Sequence, residues 1–377
     1  MKSKYLFAAT AAAITATSGY AYTPLMFANG MTARNIGAIQ HSVMIGAIEN
    51  FEGSAASALG PRGRIPLNLN AEEVPTRADY GEMARYGTMP MYGEYGDDGT
   101  VLRRGRNGGD NDENTHRRRT RRPKMNNIWL AWEHYGDDAK YSNMQTTDSP
   151  YDLIMFGLSV QRAQLQGGVS EWGMFGGYVG GTQENDYMEI HENGGYVGIY
   201  NGYNIREFYL SFAADAGALY NRAEAKNTAS DEFANLWIGA SINTKYNIRL
   251  TDEFTLQPGA YIGYTWIKSA NYISVAGAML DNNNFNMFEI SPALRAIQHI
   301  GRGWYGTLGA RYAFNLKSSG KAYANNVQLP DLDTKDFVEY GVGVEKSIDR
   351  FNIAVNLGRH DGGRRGWNGG FSLKYIF

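Results

Sequence analysis

The chain contains no cysteine. Disulfides, thiolate chemistry and cysteine-bearing metal sites are therefore excluded, and an exported protein of this kind must take its stability from elsewhere. Beyond the amino end, no stretch reaches the ~20 consecutive apolar residues that a membrane helix needs. Histidine is scarce, with six residues in 377, and no serine stands in a recognisable nucleophile setting; both argue against a hydrolase. No phosphate-cradling glycine loop or metal-ligand spacing occurs, so no catalytic, cofactor-binding or metal residue is assigned. Charged residues make up only 20% and the formal net charge is -2, which gives no nucleic-acid signature to the chain as a whole.

What is abundant is glycine, 46 residues, and tyrosine, 26, a pairing that suits short strands, tight turns and interfacial aromatic girdles. The amino end reads as an export signal: Lys2 and Lys4 form a basic region, Leu6 to Ala16 an apolar core, and Gly19-Tyr20-Ala21 a small-residue cleavage site. The expectation is a signal peptide over 1–21, cleaved after Ala21, and hence export, to the periplasm, to the medium or, as a barrel, to a bacterial outer membrane. Residues 22–125 read as a flexible low-complexity extension or a vestigial passenger or linker. Within it, Ile36, Ile39, Val43, Ile45 and Ile48 suffice for one short helix or a pair of strands, but their spacing fits neither period. From Gly53 to Pro123 glycine, proline and charge dominate, with too few apolar residues for a core. The basic run from His116 through Arg117, Arg118, Arg119, Arg121 and Arg122 to Lys124 reads as a solvated tail or as a contact for anionic lipid or lipopolysaccharide head groups. Nucleic acid is the weakest of the three readings, because no fold or aromatic platform surrounds the run.

From Asn126 onward the chain resolves into segments of alternating apolarity. Twelve strands are expected, opening at residues 126, 151, 171, 195, 206, 234, 254, 285, 304, 336, 351 and 366. Phe208, Leu210, Phe212 and Ala214 share one face of the fifth strand, and Val338, Tyr340, Val342 and Val344 one face of the tenth. Links of alternating length separate the strands, as when one set of turns faces the periplasm and the other the outside. The fold expected for 126–377 is an all-β, twelve-stranded antiparallel outer-membrane transmembrane β-barrel. Hydrocarbon admits only helices or closed barrels, because every backbone amide there must be paired.

Closure makes the last strand meet the first. Phe371, Leu373, Tyr375 and Phe377 would then continue the lipid face of Ile128, Leu130 and Trp132. Trp129, Tyr151, Trp172, Tyr220, Trp266, Trp304 and Tyr375 lie near strand ends, where interfacial belts form. On the same alternation the lumen receives Glu207, Asp215, Glu289, Arg295, Arg311, Glu339, Asn356 and Lys374, which either pair across the interior or grip a segment threaded through it. At the rim, His191 and His360 read as exposed loop residues. Pro258 and Pro292 each remove a ladder hydrogen bond and call for an irregularity nearby.

NNIWLAWEHYGDD at 126–138, GLSVQRAQLQGGVSEWGMFGGYVGG at 157–181, LQPGAYIGYTW at 256–266 and the closing GGFSLKYIF resemble the autotransporter transporter domain of type V secretion proteins. The resemblance covers Asn126 to Phe377. It implies a barrel whose pore holds a helix leading to an amino-terminal passenger, delivered to the cell surface. It further implies, as partners, the barrel assembly machinery, periplasmic chaperones, and outer-membrane lipid with lipopolysaccharide, for a monomeric barrel. Phe371, Leu373, Tyr375 and Phe377 resemble the assembly signal of that family. The chain departs from the pattern before the barrel: residues 105–125 make a poor helix, and 22–104 lack the repeated strands of a large passenger. A stand-alone pore or an adhesive surface protein is the alternative.

Overall fold

The computed structural model describes residues 24–52, 127–140, 146–165, 168–225, 230–275, 277–282, 284–329 and 334–377. The expected signal peptide and the basic run at 116–124 lie outside them. Among the described residues twelve long strands follow one helix, α1, Leu25–Glu52. They are β1 Asn127–Ala139, β2 Tyr151–Leu165, β3 Gly168–Glu184, β4 Met188–Ile205, β5 Phe208–Ala225 and β6 Ser230–Tyr246. The circuit continues with β7 Phe254–Lys268, β8 Phe285–Gly301, β9 Trp304–Ser319, β10 Phe337–Ile348, β11 Phe351–Gly362 and β12 Arg364–Ile376. Each strand pairs antiparallel with the next. β1 pairs with β12 in the register Ile128↔Tyr375, Leu130↔Leu373 and Trp132↔Phe371, which closes the barrel along the expected face.

Alternation decides which side chains meet lipid. Ile128, Leu130, Phe156, Val197, Ile238, Leu308, Val342, Val355 and Phe371 all point outward and are exposed, as a wall surrounded by hydrocarbon requires. Each proline is paired within the β7–β8 ladder, Pro258↔Leu294 and Pro292↔Ala260, and the pairing is interrupted only on its other side. The β6–β7 pairing stops at Lys245↔Gly259, one residue short of Pro258. The β8–β9 pairing passes from Ile290↔Phe314 to Ala293↔Arg311, skipping Pro292.

Two expected long links are mostly strand. Gly181–Gly194 shrinks to 185–187 and Tyr220–Phe233 to 226–229, because β3, β4, β5 and β6 extend into them. Those extensions look like polar loops in sequence because the lumen they face is polar. Gln183 and Glu192, both buried, satisfy each other there through Gln183 Nε2→Glu192 Oε1 at 2.5 Å. Long links remain at 140–150, 269–284 and 320–336, all at one end. Above that end, Tyr272–Ile273, Met279–Asn282, Ala322–Ala324 and Val327–Gln328 pair into a small four-stranded sheet.

The main departure from expectation lies before the barrel. Residues Leu25–Glu52, expected to be part of a flexible extension from residue 22, form one continuous helix with 23 of its 28 residues buried. A helix enclosed on every side shows no single apolar stripe, so neither period is visible in its sequence.

Candidate functional site: the lumen and its helix

Pro24 precedes the first helical residue, and the Phe27 amide bonds back to the Pro24 carbonyl at 3.0 Å, a favourable start because proline is pre-set for helical φ. The helix runs along the lumen from the long-loop end to the short-turn end. At its start Leu25, Met26, Phe27 and Met31 are buried against Met188, Ile190, Phe233, Leu280 and Leu329, residues of the strand tips and of the small sheet. The small sheet thus covers the helix N-terminus with an apolar layer.

Along its length α1 is held by matched polar contacts. Asn35 Nδ2 donates to Glu192 Oε2 at 2.5 Å. Thr265 Oγ1 donates to Gln40 Oε1 at 2.7 Å. Ser42 Oγ and Tyr151 Oη are 2.9 Å apart. His41 lies edge-on to Tyr261 and Phe337, with Nδ1 2.9 Å from Glu289 Oε1. The Arg34 guanidinium sits 4.5 Å above the Phe285 ring. Polar groups this deep are expensive unless partnered, so these pairs fix both the rotation and the depth of the helix.

The last turn is gripped hardest. Phe51 stacks on Tyr200 at 4.4 Å and 6°, and meets Trp129 edge-on at 5.5 Å. Its ring fills the space over Gly173, where an added Cβ would lie 2.1 Å from it, so no larger residue fits. Glu52 Oε2 is 2.7 Å from Lys245 Nζ, and Glu52 Oε1 accepts from Ser211 Oγ at 2.5 Å and Asn243 Nδ2 at 3.1 Å. Lys374 Nζ donates to the Asn50 carbonyl at 2.8 Å and the Phe51 carbonyl at 3.4 Å. These are C-terminal carbonyls with no intrahelical partner, at the negative end of the helix dipole.

Of the residues expected in the lumen, seven lie there. Asp215 accepts from Trp237 Nε1 at 3.1 Å, Glu289 faces His41, and Lys374 caps α1. Arg311 Nη1 lies 3.4 Å from Glu339 Oε2, and its Nη2 lies 3.8 Å from Glu49 on the helix. Arg295 and Asn356 line a cavity of about 250 Å³ between the lower half of α1 and β8–β12. Glu207 is the exception. It shares the parity of Tyr209 and Ser211 but sits exposed in the β4–β5 turn, where Arg206 takes φ 56° and the strand has not yet begun. Phe371, Leu373, Tyr375 and Phe377 all lie on the outer face.

Three further expectations need correction. Trp129 and Tyr151 are lumenal, each 1% exposed, whereas Trp172, Tyr220 and Trp304 do face outward. His360 is buried, not a loop residue: its Nδ1 is 2.9 Å from Asp137 Oδ2, beside Arg364, which also bonds Asp137 and donates to Tyr151 Oη at 2.8 Å. The parity of β11 carried it, since His360 follows Asn356 and Gly358 on the inner face. Its strand is longer than the apolar pattern suggested. His191 is exposed as expected but is not a loop residue: it lies within β4, paired with Thr182 of β3, with Nε2 3.5 Å from Glu189. The helix partners Glu192, Lys245 and Tyr200 carried no signal of their own, because their role depends on what fills the lumen. Among the described residues no group of His, Asp and Glu is placed to hold a metal ion.

The profile of the autotransporter β-domain matches residues 131–358, more than half of the chain and nearly the whole wall around this helix. The chain belongs to the autotransporter β-domain family. It is accordingly an outer-membrane barrel of the type V secretion class. Solved autotransporter structures share its fold. The transport unit of AIDA-I from Escherichia coli matches with a TM-score of 0.58 at 15% identity, over 69% of this chain and 92% of that one. The β domain of Bordetella BrkA matches at 0.53 and 14%, over 66% and 98%. The translocator domain of NalP from Neisseria meningitidis matches at 0.53 and 10%, over 67% and 88%. A sequence comparison with curated proteins finds no match.

Proposed function

We propose that this autotransporter barrel takes its amino-terminal segment into the lumen toward the cell surface and keeps that segment there as α1, without enzymatic activity. The observation that carries the reading is the direction of the helix. Its N-terminus lies under the long-loop sheet, and its C-terminus lies with both barrel termini at the short-turn end. In a barrel with periplasmic termini the long-loop end faces outside, so α1 is oriented as the tail of a chain that entered from the periplasm. On this reading Phe371, Leu373, Tyr375 and Phe377 serve the barrel assembly machinery and chaperones, and the apolar wall contacts outer-membrane lipid and lipopolysaccharide.

Because the chain lacks cysteine, Thr23→Cys gives a single label site just before α1. A membrane-impermeant maleimide should label it on intact cells, as it should a Val275→Cys control at the exposed residue just past Tyr272–Ile273 of the small sheet. Labelling of residue 23 only after permeabilisation, with the control labelled normally, would overturn outward threading. The cavity beside α1 favours a second reading, a small pore. Steady conductance of the intact protein in planar bilayers would support it, and a silent barrel would remove it.

A further inference from the structure

Every neighbouring strand pair but one is consecutive in the chain, and the exception is the β1–β12 seam, which thirteen residue pairs hold. The helix contacts this seam at two heights. Near the short-turn end Lys374 of β12 donates to the carbonyls of Asn50 and Phe51, while Trp129, its cross-strand partner on β1, packs against the Phe51 ring. Near the long-loop end Arg364 of β12 bonds Asp137 of β1 across the seam, and also Tyr151 of β2, whose hydroxyl meets Ser42 of α1. Tyr135 of β1 stacks on Tyr151 at 4.6 Å and 10°, sealing the upper layer. Both junctions therefore run from β12 to β1 or β2 and end on the same helix.

We propose that α1 is an internal brace for the β1–β12 seam, with Lys374 and Arg364 as the positioning residues, so that residence of the helix and closure of the barrel form one cooperative event. The inference goes beyond translocation and holds whichever way the segment moved. When α1 is absent, Lys374 loses two carbonyl acceptors and Tyr151 loses the Ser42 hydroxyl. Trp129 loses the ring that holds it over the seam. The seam then keeps its backbone pairing and the Arg364–Asp137 bridge but loses every tie to the helix, whereas β5 and β6 stay joined by the chain itself.

The test is amide hydrogen exchange of the full-length barrel, comparing β1 and β12 amides with β5–β6 amides as an internal reference. In Lys374→Met, seam exchange should rise about tenfold relative to the reference, the loss expected for a hydrogen bond from a charged donor. Lys374→Arg should restore most of the protection. Ser42→Ala, a milder change at the upper junction, should raise seam exchange by a smaller factor and serves if Lys374→Met is not recovered folded. Lys245→Met, which loosens the same helix end on the far wall and lies in the reference hairpin itself, is read by seam exchange alone, which should stay nearer to that of the unaltered protein. Equal acceleration of seam and reference in the Lys374 and Ser42 variants, or unchanged seam exchange in both, would overturn the brace.

Discussion

Strands β3–β5 meet the lower half of the helix through rings and sockets, while β8–β12 face it there across a cavity lined by charge. On the first side Phe51 lies flat on Tyr200 over Gly173, with Phe175 at 6.5 Å. On the second, Arg295, Arg311, Glu339 and Glu345 look toward Glu49, the exposed residue of α1. Ala38, Ile45, Glu49 and Glu52, four of the five helix residues that are not fully buried, are spaced so as to share one helix face. The difference teaches that position and solvation are divided between the two walls. Close-packed rings need a unique geometry and so set where the helix sits. Long charged side chains can pair through water and tolerate space beside it.

The sharpest way to break the packed side is Phe51→Ala. Removing a buried ring that touches three aromatic side chains should cost about 3–5 kcal/mol of helix docking, read as protease access to α1 and a lower midpoint of heat-dependent gel mobility. Retention of wild-type protection would show that the socket does not set the helix position. A smaller loss is expected for Lys245→Met. It removes one of three partners of Glu52, a change of about 1.5–3 kcal/mol by the same measurements. On the open side Arg295→Gln should shift stability by no more than about 0.5 kcal/mol, and a shift as large as that of Lys245→Met would erase the contrast between the walls.

The smallest effect belongs to the outer rim. Asp148, beyond the end of β1, has its carboxyl raised from the ordinary value, first by burial and then by the facing carboxylates of Asp138 and Glu184. A carboxyl raised on folding is disfavoured when ionised. The rim is therefore stabilised on acidification through its raised range, and loses that contribution as the pH rises through it. Asp148→Asn should flatten this part of the pH dependence of proteolysis at the long-loop end. An unchanged profile would assign the dependence to other groups.

The wall was legible because lipid imposes a period of two on every strand, and β1, β5, β10 and β12 display it openly. Strand ends were less legible where the lumen is polar: Gln183, Glu192 and His360 look like loop residues until their inward partners are known. Glu207 failed in the opposite direction, since parity continues through a turn although the strand does not. The glycines of the wall gave no warning of their use either. Gly173 is a socket only because Phe51 fills it, and a Cβ on Gly37 of the helix would lie 1.9 Å from Met287 Sδ.

By itself the sequence determined a closed wall of twelve strands, its seam from Ile128 to Phe377 and its membrane, because alternation and backbone pairing are local or nearly local demands. Only the tertiary structure decided that Leu25–Glu52 is a helix, where it lies and which wall grips it. Its side chains answer to a surrounding cylinder, not to one apolar face, so the pattern that would betray the helix exists in the lumen and not along the chain.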